Sequence, residues 1–459
     1  MGDTRRSPPA DGAASRNDPG AAAARALAAA LPAGGRVAVA LSGGRDSVAL
    51  LDATLTVVAH PPFDVIAFHV DHGLSTHAGA WAQFCRELCA RRHIACHVRS
   101  VEVAQGPRIS VEAAARSARY AALTELAREQ RVAAVLLAHH ADDQAETTLL
   151  QLLRGAGPRG LAAMPAARFD GRVWWLRPFL SLTRARIDDY AMVRGLRHVD
   201  DDSNTRSRYR RNALREDVVP ALRRIAPGYP ATLLRAAELQ AEAAALLDDL
   251  AALDARDAYD GAALDCSVLS TLDARRGRNL LRWFLRDQRL PAPSQARLAQ
   301  MLQQVTGARP DAQIAIRHAG HELGVHRGRV VVHRVPVDAY SCEWDGAQAV
   351  RLPHGTLTLS RGIGTGIAAR HVAASTVTIR SGVAGERLTV AGRTAPRAVA
   401  ELLRDAGVPR WDRQAIPRLY CGATLAAVPT LGIDAAFAAA PGEPGYAPAW
   451  HSSPRAEAP

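Results

Sequence analysis

Apolar residues between positions 36 and 138 gather into short runs, each followed by a longer stretch with helical spacing. The runs 36–41 (RVAVAL), 64–70 (DVIAFHV), 94–100 (IACHVRS) and 132–138 (VAAVLLA) are too short for helices and mostly apolar, so they predict strands buried on both faces. The stretches 46–58, 77–92, 110–130 and 142–153 repeat apolar positions every three or four residues and predict helices. Strand and helix in alternation predict an α/β fold, a doubly wound, Rossmann-like parallel sheet whose ligands gather at the carboxyl ends of the strands. After about residue 220 the alternation stops. Residues 221–304 read as mostly helical, and 372–437 as a mixed segment with turn glycines and one helix near 396–406. The expected division is a disordered tail over 1–20, an α/β domain over 21–220, a helical domain over 221–335, a small mixed α/β domain over 372–437 and a second disordered tail over 438–459.

Composition sharpens this picture through an absence. All 57 basic residues among the 459 are arginine, because the chain has no lysine. That excludes a Walker-type phosphate loop, a protein kinase, a Schiff-base enzyme and a Ser-x-x-Lys acylase, each of which needs a lysine. The net charge of +12 is concentrated in three places, with +5 over 203–215, +6 over 275–297 and +4 over 371–420. Clustered arginines bind phosphates and release counterions, so a nucleic acid is the expected partner. Residues 231–260, with seven acids against two arginines, read as a solvated face turned away from it. Six cysteines without paired spacing predict a reducing, cytoplasmic setting, and no apolar run reaches the length of a membrane span. The alanine stretch 21–33 is no targeting segment, since Asp3, Asp11 and Asp18 precede it and Arg25 interrupts it.

The strongest chemical signal is Ser42-Gly43-Gly44-Arg45-Asp46-Ser47, placed after the first strand and opening the first helix of the sheet. Two glycines let backbone N–H groups turn toward an anion, Ser42 and Ser47 add hydroxyls, and the helix start adds partial positive charge, so the loop is expected to cradle phosphates. A carboxylate in a phosphate loop calls for a cation between them, and Asp46 is therefore the expected holder of Mg2+. The segment resembles the S-G-G-x-D-S signature of the PP-loop ATP pyrophosphatases, which cleave ATP between the α and β phosphates.

Further motifs narrow the resemblance. His69-Val70-Asp71-His72-Gly73-Leu74 ends the second strand, Glu112 to Arg116 leads to Arg119-Tyr120, and Ala138-His139-His140-Ala141-Asp142-Asp143-Gln144-Ala145-Glu146-Thr147 runs on to Arg154-Gly155-Ala156-Gly157. Arg177-Pro178, Asp201-Asp202-Ser203-Asn204 and the stretch from Tyr209 to Arg215 follow, and Gly407-Val408-Pro409-Arg410-Trp411-Asp412-Arg413 continues the pattern near the C-terminus. Together, from about residue 35 to 437, these resemble the tRNA(Ile)-lysidine synthetase family. The resemblance implies ATP and Mg2+ as cofactors, and as substrates free L-lysine and the isoleucine tRNA with a CAU anticodon. It implies a ligase that adenylates the oxygen on carbon 2 of the wobble cytidine and displaces AMP with the lysine ε-amine. The catalytic candidates are Asp46, His139, Asp143 and Glu146, with Asp46 and Asp143 as the metal holders. Asp143 and Glu146, three apart on one helix face, suit a cation, an ammonium group or an amine proton. Of the two adjacent histidines only one is expected to be catalytic, His139 being favoured. Arg116 and Arg119 are expected at anionic groups, and Arg206, Arg208, Arg211 and Arg215 at tRNA. A homodimer is compatible with the sequence.

Two other functions were weighed. A PP-loop tRNA thiolase typically uses a C-x-x-C pair or an iron–sulfur cluster, and the chain has no C-x-x-C. A non-catalytic nucleotide-binding module needs no acidic cluster, whereas Asp142, Asp143 and Glu146 form one. Cys85, Cys89 and His93, at spacings of four, could bind zinc, but they also fit the buried face of an amphipathic helix, which is the favoured reading.

Overall fold

The computed structural model describes residues 18–32, 34–57, 63–73, 75–104, 106, 111–199, 210–307 and 314–453. The N-terminal tail expected over 1–20 lies almost wholly outside these. The chain divides into two compact units, Met1–Leu246 and Leu247–Pro459.

The first unit is built on six strands, β1 (Arg36–Ala40), β2 (Asp64–Asp71), β3 (Cys96–Ser100), β4 (Ala134–Leu136), β5 (Ala167–Phe169) and β6 (Trp174–Leu176), in the order β3-β2-β1-β4-β6-β5. All neighbours are parallel except the hairpin of β5 with β6. Side chains of β1 alternate between two cores. Val37 and Val39 pack with Leu50, Leu51, Leu88 and Phe179, while Ala38 packs with Phe68, Leu123, Leu126 and Trp175. The first core is covered by α1 (Pro19–Ala30), α2 (Arg45–Val57) and α3 (Ala78–Ala90), and the second by α4 (Val111–Glu129). Covering both faces of a parallel sheet leaves only its strand ends for ligands. The expected doubly wound fold is present, and its four expected strands and helices lie within a few residues of their predicted positions.

One buried charge ties this unit together. Asp52 on α2 accepts from Arg92 at 3.2 Å, from Arg194 at 3.0 Å and from the Tyr190 hydroxyl at 2.9 Å. Its three partners come from the end of α3 and from α6 (Arg184–Val193) with its C-cap, so one carboxylate pins two helices onto α2.

The second unit joins a helical layer to antiparallel sheets. Helices α7 (Ala274–Asp287) and α8 (Gln295–Thr306) cover a four-stranded sheet, which includes His321–His326 and Arg329–Arg334, through Leu280, Leu281, Phe284, Leu298 and Met301. The domain read as helical over 221–335 thus carries a sheet as its second layer. Trp411 stacks on His333 with ring centroids 4.0 Å apart, and it rests on Gly324, where a Cβ would stand 2.5 Å from the indole. The segment 438–459, expected as a tail, holds the strand Pro444–Ser452, which pairs antiparallel along the whole of Gly355–Ile363. That expectation is corrected: a strand with a complete hydrogen-bonded partner is part of the sheet.

Candidate active site

The phosphate-loop candidate lies where β1 ends and α2 begins. Ser47 Oγ donates to the Gly44 carbonyl at 2.8 Å and accepts from Ser42 N at 3.1 Å, closing the loop on itself. Gly43 has φ +89°, and a Cβ there would stand 3.0 Å from Val199 and 3.3 Å from Cys85 Sγ, so the position requires glycine on two counts. Arg45 pairs with Asp188 at 2.8 Å, which holds its guanidinium against the protein.

Two strands end beside this loop, and their following residues complete the site. Helix α5 (Ala141–Leu152) opens after β4 with a capping box: His140 Nδ1 accepts from Asp143 N at 3.4 Å, and Asp143 Oδ2 accepts from His140 N at 3.2 Å. With Nδ1 accepting, the proton of a neutral ring sits on Nε2, which lies 3.7 Å from Asp46 and 3.5 Å from Asp143. His140 therefore stands between the two carboxylates expected to hold metal. Asp142 turns the other way, accepting from Arg184 N at 2.8 Å and fixing the start of α6.

Burial pushes the Asp46 carboxyl above the usual carboxylate range, against the pull of His140 and Arg45. Its Oδ1 is buried and accepts no hydrogen bond, which suits a cation ligand. Among the described residues no three or more His, Cys, Asp or Glu gather as a metal cluster. Mg2+ characteristically takes one or two carboxylates and fills its shell with water and phosphate oxygens, so Asp46 with Asp143 fits it.

Asp143 and Glu146 share one face as expected, and both are held by arginines. Arg211 reaches Asp143 at 2.8 Å and Glu146 at 2.7 Å, and Arg215 reaches Glu146 at 2.6 Å and Asp143 at 3.4 Å. Burial alone would raise the Asp143 carboxyl, but His140 and Arg211 outweigh it and bring it below the usual range. Arg211 and Arg215, expected at tRNA, are thus turned onto the acids; Arg206 and Arg208 lie outside the described residues. His139 is half-buried, its Nδ1 is enclosed without a hydrogen-bond partner, and burial pushes its pKa down. Arg116 lies over the Tyr120 ring at 5.2 Å, and Arg119 Nε donates to His72 at 3.2 Å. Sequence reasoning gave no role to Arg177, which follows β6 and feels both Arg116 and His139. Cys85 and Cys89 are buried on α3, with Cys85 Sγ 3.4 Å from His69 and its thiol pushed up to about 12 by burial.

A parallel sheet with this loop after its first strand defines the class, a PP-loop enzyme that uses ATP. The PP-loop domain family matches residues 21–222, the TilS substrate binding domain matches 264–331 and the TilS substrate C-terminal domain matches 377–450. The chain is 36% identical to the tRNA(Ile)-lysidine synthase of Nitrosomonas europaea over 430 residues, covering 92% of this chain and 93% of the relative. It is 40% identical to that of Chromobacterium violaceum over 429 residues, covering 90% and 94%. The chain belongs to the tRNA(Ile)-lysidine synthase family. A looser likeness is to the U34-tRNA thiolase NcsA of Methanococcus maripaludis with its [4Fe-4S] cluster, at 17% identity and TM-score 0.42 over 49% of this chain and 78% of that one, too distant to bear on function.

Proposed function

We propose that the chain ligates free lysine to carbon 2 of the wobble cytidine in the CAU-anticodon isoleucine tRNA, through an adenylated tRNA intermediate, with release of AMP and pyrophosphate. The observation that carries this reading is the meeting of Asp46, His140 and Asp143 beside the closed Ser42–Ser47 loop. The loop's N–H groups and the start of α2 hold the phosphates. Asp46 and Asp143 hold Mg2+, which neutralises phosphate charge when bound. His139 donates to a phosphate oxygen, where negative charge develops as the cytidine oxygen attacks and pyrophosphate leaves. Asp143 and Glu146, held in place by Arg211 and Arg215, receive the lysine ammonium or its proton. Residues 221–335 and 372–437 recognise tRNA, the enzyme works in the cytoplasm, and a homodimer is compatible with this reading.

The test is product analysis with ATP. AMP should form only when lysine and tRNA are both present, and over many turnovers pyrophosphate should form in step with it. Formation of ADP, or turnover indifferent to lysine, would contradict the reading.

A further inference from the structure

Two arginines are buried among the described residues, and the fold treats them differently. Arg418 is paired with Glu386 at 3.0 Å and donates to the carbonyls of Ile416 and Arg413. Arg177, 6% exposed, has no carboxylate partner among the described residues. Its Nη1 donates to the Pro165 carbonyl at 2.8 Å and its Nη2 to the Tyr120 hydroxyl at 3.2 Å, while Nε is buried without a partner. A guanidinium taken from water without a counter-charge is costly, so a fold that keeps one there leaves a place for an anion.

The surroundings agree. Arg116, 5.2 Å from the centroid of that same Tyr120 ring, forms no ion pair with a described residue. Arg177 follows the carboxyl end of β6, and the order β1-β4-β6 puts that end two strands from the phosphate loop. At the usual strand spacing this is roughly 10 Å, too far for the loop to serve the same oxygens.

We propose that Arg177, backed by Arg116, is a binding subsite for an oxyanion of one of the substrates, a carboxylate or a phosphate, which supplies the missing counter-charge. The proposal rests on the reading that ATP and an amino acid meet at this sheet edge, and it adds a group to that site. A planar fork with a free Nε–H suits either oxyanion.

The test uses the full chain with Arg177→Met, which keeps length and packing, and Arg177→Lys, which keeps the charge but not the fork. Calorimetry measures binding of AMP, and, with a non-hydrolysable ATP analogue present, of lysine and of cadaverine, the same amine chain without a carboxylate. If the subsite holds the carboxylate, Arg177→Met weakens lysine binding by about tenfold to a hundredfold and leaves cadaverine unchanged. If it holds a phosphate, AMP binding falls by a similar factor instead. In either case Arg177→Lys recovers part of the loss. Unchanged affinity for all three ligands in a folded variant overturns the proposal. So does an equal loss for all three, with a lower Tm that Arg177→Lys fails to restore, which would make Arg177 a tie between Pro165 and Tyr120. Binding is read without turnover. A wild-type chain that forms no lysidine would therefore sink the functional reading alone and leave these titrations to decide the subsite.

Discussion

Single side chains carry the sharpest expectations. Asp46→Asn keeps the size of the side chain but removes the charge beside the loop, so pyrophosphate release should fall by about a hundredfold or more while the fold persists. Near-normal turnover would remove the metal role. Gly43→Ala forces a side chain into positive φ against Val199 and Cys85; we expect a stability loss of about 1–3 kcal/mol by urea unfolding and a weaker grip on ATP. Asp52 gives a pH signature. Burial alone would raise its carboxyl, but the hydrogen bonds from Arg194, Tyr190 and Arg92 outweigh this and hold it below the usual range. A depressed folded pKa means stability that is present above the unfolded value of 3.8 and is lost as pH falls through the folded one. With Arg194 half exposed, the contribution is discounted to about 1–2 kcal/mol. The gap in urea midpoint between wild type and Asp52→Asn should hold at neutral pH and close below about pH 4. A gap independent of pH would show that ionisation of Asp52 does not matter to the fold.

At the scale of elements, the start of α5 decides how the acids are aimed. His140→Ala removes the side-chain cap and should cost about 1 kcal/mol. His140→Asn supplies another capping oxygen, so it should restore the unfolding midpoint, yet leave activity low because no Nε2–H faces Asp46 and Asp143. Recovery of both would reduce His140 to a cap. The sequence could not choose this orientation between two adjacent histidines, because the choice is made by a backbone N–H of the next turn and a carboxylate from the start of α2. Strands β1, β2 and β4 were legible because burial on both faces makes them short apolar runs. The hairpin of β5 and β6 was not, since β5 is exposed along its whole length and offers no buried apolar run. Arg177 was passed over with it. Pro444–Ser452 went unread because its prolines and glycine argue against a strand, and only its pairing with the distant Gly355–Ile363 makes it one. The inward turn of Arg211 and Arg215 was equally hidden, since a basic run looks the same whether its partner is a phosphate or a carboxylate.

For the molecule as a whole, the account divides labour between chemistry in the first unit and recognition in the second. On α7, Arg276 and Arg286 are tied to Asp254 and Asp248, whereas Arg278 and Arg282 form no ion pair with a described residue. Replacing Arg278 and Arg282 with alanine should therefore flatten the dependence of log tRNA affinity on log salt by roughly 1 to 2. Replacing Arg276 and Arg286 should change it less, because their charge is already met. Equal effects would mean that ion pairing does not sort these arginines. The central claim is that all of this serves one reaction at one base. It is tested most directly by incubating the purified chain with ATP, labelled lysine and total tRNA, then digesting the RNA to nucleosides. Label is expected in a single modified cytidine, dependent on ATP and lost with Asp46→Asn. Label absent from RNA, or present as an aminoacyl ester removed by mild base, would contradict it.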